Sequence, residues 1–574
     1  MMITRITVLA SLLIVLFINS LAEAQRLEIP RRHEKPPGPA LSAEEAVKKM
    51  VVPEGFSVEI VAKEPDVVNP IGMAIDEKGR FWITESFEYP RKSPGPGKDR
   101  IKVLEDTDGD GQVDKTTIFA EGLNIPSGIA VGHGGVWVAN APDLLFMQDT
   151  DGDLKADKIE KVVTGFGRTD THELPNSLTW GTDGWLYGLN GVFNYCDVVY
   201  TPENPNFREG QPGWKFTCAL FRVHPRTREF QIFAEGTSNP WGIAINEDGE
   251  FFLSACVIDH LWHIAETAYY IRQGGPYPPH TWPMRSIVNH KHQKAAFCGI
   301  TWFDSEAYPE MYRKVLYMGN IHGGCINNDL VEQDGATYKG RPHPGFPAPA
   351  GAFEHETVRK IGEGKDAKLA DFLTANDAWF MPVVQKTGPD GCLYILDWYD
   401  RYHCYQDANA DPEGIERSKG RLYRVVYKGH EHKKFPDLGA KSDQQLIDLL
   451  DDSNIFIRET AQRLLQERND VETSKQLIEI VLNAEGTLSR KQRTALFALS
   501  GFDLHKDYDD NRAETVIRKL GQHEDPFARM QGLRICQQLI ERSKTSGPHD
   551  LLINEEAMAG LEDESAQVRR QAII

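Results

Sequence analysis

Residues 106–114 read Asp-Thr-Asp-Gly-Asp-Gly-Gln-Val-Asp. The alternating carboxylates of Asp106, Asp108, Asp110 and Asp114 can turn into one concavity, and Gly111 permits the sharp turn. A set of hard oxygens in that spacing suits calcium. The twelfth position is Thr117 rather than Glu, so the loop is not an EF-hand. Asp149, Asp151, Asp153 and Asp157 repeat the spacing, with Leu154 in place of Gly. The alternative for both loops is a solvated acidic turn.

Histidine supplies the other chemistry. His172 lies in Thr171-His172-Glu173-Leu174-Pro175, just ahead of an alternating strand. There it could serve as a general base beside Glu173, or be a hydrogen-bonded structural histidine. His290 and His292 share one face of an extended segment and could bind a metal. A surface pair is the plainer reading. His322, in Asn320-Ile321-His322-Gly323-Gly324, follows an aromatic strand, and Asp397-Trp398-Tyr399-Asp400 occupies the equivalent place later in the chain. Glu85, Asn140 and Asn190 follow homologous strands. Together they predict a polar axial pocket. The sequence carries no Ser-His-Asp arrangement, P-loop or dinucleotide fingerprint.

The elements that must position these residues come from an internal repeat. Six segments begin at Asn69-Pro70, Pro126-Ser127, Pro175-Asn176, Asn239-Pro240, Cys298-Gly299 and Pro382-Val383. Most climb through an alternating strand to an Asp-Gly or Gly-Gly turn and return through an aromatic strand, while the fifth has a longer turn. Such all-strand units, roughly 50 to 60 residues long, are propeller blades. The expectation is an all-β six-bladed propeller of four-stranded blades over residues 50–428, with Phe56 to Ala62 completing the last sheet.

A polar linker (429–441) follows, and from Ser442 the apolar period becomes helical. Helix, acidic turn and an apolar-Arg opening recur roughly every 35 to 40 residues, as at Ile457-Arg458 and Val568-Arg569. Residues 442–574 therefore read as an all-α, HEAT-like solenoid. Ile574 falls inside a second helix, so the natural protein is expected to continue beyond it.

Arg5, the apolar run Ile6 to Ile18 and Ala22-Glu23-Ala24 form a signal peptide over residues 1–24, with a linker over 25–49. The expectation is an exported protein, periplasmic or extracellular, with membrane association as an alternative. The formal net charge of −20 argues against a nucleic-acid partner. Of eight cysteines, Cys196 with Cys218 and Cys392 with Cys404 could pair or remain free thiols. No C-x-x-C occurs, so neither a thiolate zinc site nor a C-x-x-C-H haem site is expected in this chain.

The stretches DTDGDG, FAEGLNIPSGIA, PNSLTWGTDGWLYGLNGVF, GTSNPWG, CVIDHLWH, GNIHGG and GPDGCLYILDWYD resemble the membrane-bound dehydrogenase family of PVC-type haem-binding proteins. Members of that family join a propeller to HEAT-like repeats and usually a C-terminal cytochrome module. Their propeller is similar to soluble quinoprotein glucose dehydrogenases, which hold pyrroloquinoline quinone and calcium. The resemblance implies His172 as the catalytic base and Asn239 and His322 at the cofactor position, and Asp397, at the equivalent place on blade six, is a further cofactor-binding candidate. It also shows where cations are missing: Ser238 replaces an Arg, His322 a Lys, and Trp379-Phe380-Met381 an Arg pair. Quinone binding is therefore expected to be weak or absent. The resulting expectation is a dehydrogenase-like propeller acting on a sugar or related alcohol, with a protein partner, such as a c-type cytochrome, on the helical tail. The alternatives are a non-catalytic glycan- or protein-binding scaffold and a calcium-dependent lactone hydrolase using Glu85, Asn140 and Asn190.

Overall fold

A computed structural model describes residues 39–574 apart from 94, 276, 278–280, 293–295, 346–370, 402–415, 504–509 and 543–549. The signal peptide and Cys404 lie outside the described residues.

Six sheets form six blades. Most inner strands are short and carry a small residue, such as Gly72, Gly128 and Gly242, which lets the blades crowd around the axis. Gly242 (φ +120°) shows the constraint: a Cβ there would sit 2.5 Å from the Ile300 backbone nitrogen of the next blade. The ring closes between distant parts of the chain. Phe56–Lys63 pairs antiparallel with Arg421–Tyr427 and completes the sheet of Pro382–Thr387 and Leu393–Asp397.

The blades are not uniform. Blade 1 has the expected four strands, Pro70–Ile75, Phe81–Glu85, Asp99–Glu105 and Lys115–Leu123. Blade 2 gains two strands, Cys196–Tyr200 and Trp214–Phe216. Blade 4 has only three: Asn239–Ile245, Phe251–Cys256 and Leu261–Ile264. Its missing fourth strand, Tyr269–Arg272, runs instead in parallel beside Phe230–Thr237 of blade 3. A helix, Ala43–Lys49, stands in what the sequence presents as linker. Ser42 and Glu45 form its capping box, satisfying two orphan backbone donors reciprocally. Cys196 and Cys218 are free buried thiols.

The tail consists of helical hairpins, among them Asp443–Leu449 with Ile455–Arg468 and Val471–Leu482 with Arg490–Ser500. Its second helices lie against the turns that join the first and second strands of the blades. Arg458 meets Asp304 (2.6 Å), Arg463 meets Glu77 (3.0 Å), Arg493 meets Asp248 (2.8 Å), and Gln462 donates to the Thr182 carbonyl (2.9 Å). Of the recurring apolar-Arg openings, Arg458 thus serves the protein's own propeller, while Arg529 binds Asp563 (2.6 Å) and Arg569 the Glu564 carbonyl (3.0 Å) within the tail. Glu250 is the centre of this interface. It is 2% exposed and receives His263 Nε2 (2.7 Å), Arg534 Nη2 (2.7 Å) and Arg570 Nη2 (2.6 Å).

Burial alone would raise the Glu250 carboxyl, but Arg534, His263 and Arg570 outweigh it and hold the group well below the usual carboxylate range. Its contribution is therefore complete above the ordinary value of 4.5 and fades as the pH falls below it. Glu250→Gln leaves two guanidinium groups facing a neutral amide. It should cost about 3–5 kcal/mol in equilibrium denaturation of the full chain and expose the tail to protease. Denaturation indistinguishable from wild type would mean that Glu250 does not hold the tail.

Candidate functional site

Antiparallel blades have two unlike ends. Turns between first and second strands lie under the helical tail. Connections leaving the second strands and those linking successive blades form the opposite, loop face. His172 sits on the loop face, partly buried, in the connection from blade 2 to blade 3. Its Nδ1 lies 2.9 Å from the Tyr89 hydroxyl, and its backbone N–H donates to Asp170 Oδ1 (2.9 Å). Burial depresses the imidazole below its usual range, while the Asp170 charge pulls the other way. A neutral ring at neutral pH is the form a base requires.

Beside this pair lies an aromatic and cationic group. Tyr89 packs edge-on against Trp398 at 5.8 Å, and the Arg417 guanidinium lies 5.3 Å from the Trp398 ring centroid. Trp398 Nε1 donates to Asp400 (3.0 Å); Arg417 binds Asp400 and the Tyr89 carbonyl. Arg168, from the same connection as His172, donates to Asn124. Three separate parts of the ring thus meet here, with Trp398 6% exposed among them. Tyr89, Arg168 and Arg417 went unread in the sequence. The signal was the long Phe87-Glu88-Tyr89-Pro90-Arg91-Lys92 connection, which departs from the blade repeat.

Glu173 does not pair with His172. Its buried carboxylate accepts the backbone N–H groups of Val192 (2.6 Å) and Phe193 (2.8 Å) and pins the loop after blade 3's second strand. Burial pushes its carboxyl up to about 8. Gly191 is required there, since a Cβ would come within 2.0 Å of Glu173 Oε2.

The residues ending the second strands share this inward role. Glu85 accepts Val68 N–H (2.8 Å) and is bracketed by Arg100 (2.6 Å) and Lys102 (3.1 Å). Asn140 accepts Asn124 N–H (2.9 Å), and Asn190 donates to the Thr217 carbonyl (2.9 Å). Asp397 accepts Met381 N–H (2.8 Å) and Tyr399 N–H (3.0 Å). It is fully buried, and burial lifts its carboxyl to about 7 against the pull of Arg421. These side chains cap crossing loops rather than converge on the axis. The axial channel is lined mainly by inner-strand residues such as Gly72, Gly128, Ile243 and Val383. Asn239 and His322 are partly buried at the loop face.

A family model described as a domain of unknown function, DUF7133, matches residues 42–429. The chain belongs to that family. No curated protein matches it. Among solved structures, the DUF7133 chain is similar to the pyrroloquinoline-quinone-bound aldose sugar dehydrogenase of Streptomyces coelicolor. That match has 14% identity, 65% of this chain and 99% of that one covered, and a TM-score of 0.38. It is similar to the quinone domain of pyranose dehydrogenase from Coprinopsis cinerea (11%, 66% and 97%, TM-score 0.39). It is also similar to a gluconolactonase from Xanthomonas campestris (12%, 68% and 98%, TM-score 0.34). At these scores the likeness carries nothing about substrate or cofactor.

The DUF7133 propeller itself speaks on the cofactor. A quinone bearing several carboxylates needs cationic partners. Ser238 is fully buried and gives its hydroxyl to Gln273 (2.5 Å), while Trp379, Phe380 and Met381 are buried apolar side chains. These positions do not fit that cofactor.

The acidic loops lie at the other end of blades 1 and 2, on the turn face. Asp106 accepts Gly109 N–H (2.7 Å) and Gly111 N–H (2.9 Å), and Asp114 accepts the Thr107 hydroxyl (2.7 Å). Oxygens of Asp106, Asp108 and Asp114 lie within 4.8 Å of one another, as do those of Asp149, Asp151 and Asp157. Asp110 stands outside its group and caps Gln112 N–H (2.8 Å). Leu154 takes the left-handed conformation (φ +63°) where the first loop has Gly111 (φ +89°). A Cβ at Gly111 would lie 2.5 Å from Arg424 Nη2, so that side chain would have to shift. His290 and His292 are not a surface pair. They are 5% and 4% exposed, because the segment carrying them turns inward between blades 4 and 5. Among the described residues, no helix is long and apolar enough to cross a membrane.

The His172 geometry has a measurable consequence. Its imidazole should titrate below 6.5 by NMR, and Asp170→Asn should lower it further by removing the charge that favours the imidazolium. A normal or raised value in the wild type would contradict the buried, neutral ring.

Proposed function

We propose that the protein is an exported, dehydrogenase-like propeller that binds a sugar or related alcohol at its loop face, with His172 as the base. The observation carrying this reading is the Tyr89–His172 pair in contact with Trp398 and Arg417. Aromatic faces and guanidinium groups suit a ring that is apolar on its faces and hydroxylated at its edge. Trp282 and Tyr195, 90% and 67% exposed, extend that character along the loop face. In this scheme the substrate's O–H and C–H bonds break and a C=O bond forms. His172 takes the hydroxyl proton, and the hydride's electron pair leaves to a two-electron acceptor of quinone or dye class supplied from outside. A protein partner such as a c-type cytochrome would reach the outer faces of the tail, since its inner helices are occupied by the propeller.

The test is turnover of aldoses and polyols with a soluble quinone or dye acceptor. His172→Ala should lower kcat by about 100-fold or more while leaving sugar binding within a few-fold. Binding without acceptor reduction in the wild type would favour a scaffold. Acceptor-independent hydrolysis of lactones would favour a lactonase. Either result would overturn the dehydrogenase reading.

Calcium is proposed for the blade 1 turn, held by Asp106, Asp108 and Asp114, where it would neutralise the loop rather than take part in the reaction. Calorimetry should show one calcium lost in Asp114→Ala and only weakened in Asp110→Ala, whose carboxylate stands apart. Equal loss in both variants, or no calcium in the wild type, would refute this placement.

A further inference from the structure

Blade 4's open edge is closed by side chains. Beyond Tyr269–Arg272 the chain returns through an irregular segment that touches both neighbouring sheets. Ile287 N–H donates to the Leu261 carbonyl of blade 4 (3.3 Å), and Gly340 N–H of blade 5 donates to the Ile287 carbonyl (2.8 Å). Two residues past Val288 the segment delivers His290, then His292, into the seam. His260 comes from the head of blade 4's third strand and Asp329 from within blade 5's third strand, Cys325–Asp334.

The four side chains meet at one point. His260 Nε2 lies 2.8 Å from Asp329 Oδ2, and His290 and His292 Nε2 lie 2.9 and 3.1 Å from Oδ1. The four donor atoms all fall within 4.8 Å of one another. Their ring planes stand at 64–89° to one another, with centroids 4.9–5.1 Å apart. The three nitrogens therefore approach from different directions rather than from a stack. Ligands bonded at about 2.0–2.1 Å to a tetrahedral ion are separated by roughly 3.3 Å. The three His–Asp329 distances fall a little short of that edge length, and a small expansion would admit an ion.

Charge points the same way. Asp329 is fully buried, and its ion-pair partners among the described residues are these three histidines. A second buried carboxylate, Asp371, acts on His292 and is held by Asn327 Nδ2 (2.7 Å) and Thr374 Oγ1 (3.1 Å). Two carboxylates are buried at this point, burying such charges uncompensated is costly, and a dication held by the cluster would offset them.

We propose that His260, His290, His292 and Asp329 bind one first-row divalent transition ion that staples the seam between blades 4 and 5. Three imidazoles with one carboxylate select against calcium and magnesium, which prefer all-oxygen sets. Four buried protein ligands make a closed site, the structural kind, and zinc is the ion that best suits it. The ion takes the place of the hydrogen-bond ladder that blade 4's missing outer strand would have supplied.

The experiment uses the full chain, purified without nickel affinity. Elemental analysis should find about one equivalent of zinc or a neighbouring first-row metal. After stripping with chelator, Co2+ alone should give the intense visible bands of tetrahedral coordination. Asp329→Asn and His260→Gln should weaken Co2+ binding by about 100-fold or more, while Asp114→Asn should leave the bands unchanged. Chelation should lower the wild-type Tm, with Zn2+ restoring it. If the variants fail to fold, the wild type decides alone. Substoichiometric metal together with a Tm indifferent to chelator and Zn2+ would overturn the proposal. So would Co2+ bands that persist in a folded Asp329→Asn protein.

Discussion

The architecture depends on one pairing, that of Phe56–Lys63 with Arg421–Tyr427. It joins segments more than three hundred residues apart and makes a ring out of a row of hairpins. Loop-closure entropy opposes it, though only logarithmically in length, and the strand carries charged reinforcement. Arg424 binds Glu59 (2.7 Å) and Asp390 (3.2 Å), and Arg421 packs 3.4 Å over the Tyr399 ring. The loop-face layer inherits this closure. Tyr89 comes from blade 1, His172 from the connection between blades 2 and 3, and Trp398 from blade 6. Their mutual distances are fixed only because the ring is shut.

Blade 4 departs most from the regular construction of the ring, with three strands in its sheet. Losing its outer strand to blade 3 leaves one sheet with three strands and an open edge. The crossing segment near Ile287 repairs part of the ladder, and the His–Asp cluster lies directly beyond it. On the turn face the tail reinforces the same blade, since Arg534 and Arg570 both reach Glu250. Blade 4 is thus held at the turn face by the tail and, deeper between the sheets, by the cluster. The loop face is left for binding.

Local pattern carried the repetitive parts of this molecule. Alternating strands around Asp-Gly turns marked the blades, and the closing strand followed from Phe56 to Ala62. The helical period from Ser442 marked the tail. Ser42 and Glu45 had the spacing of a capping box, so the helix at Ala43–Lys49 was legible, although it lies in a stretch read as linker. Sites were harder, because a site is assembled from segments that periodicity treats separately. His290 and His292 were visible as a pair, but nothing in the sequence joined them to His260 or to Asp329, the latter hidden in the Asn327-Asn328-Asp329-Leu330 strand. Glu85 and Asp397 were visible as polar residues at strand ends. Which way they turned depended on unsatisfied backbone donors nearby, such as Val68 and Met381, and those exist only once the loops are folded. The strand that blade 4 gives up to blade 3 has no signal of its own, since Tyr269–Arg272 looks like any outer strand.

The most direct test of this account is X-ray absorption on the full chain in solution, at the edge of the metal it carries. An ion in the blade 4–5 seam should show a first shell of about four nitrogen and oxygen scatterers at about 2.0–2.1 Å, with the outer-shell pattern of three imidazoles. A first shell made only of oxygen, one containing sulfur, or no bound metal would contradict a seam held by His260, His290, His292 and Asp329.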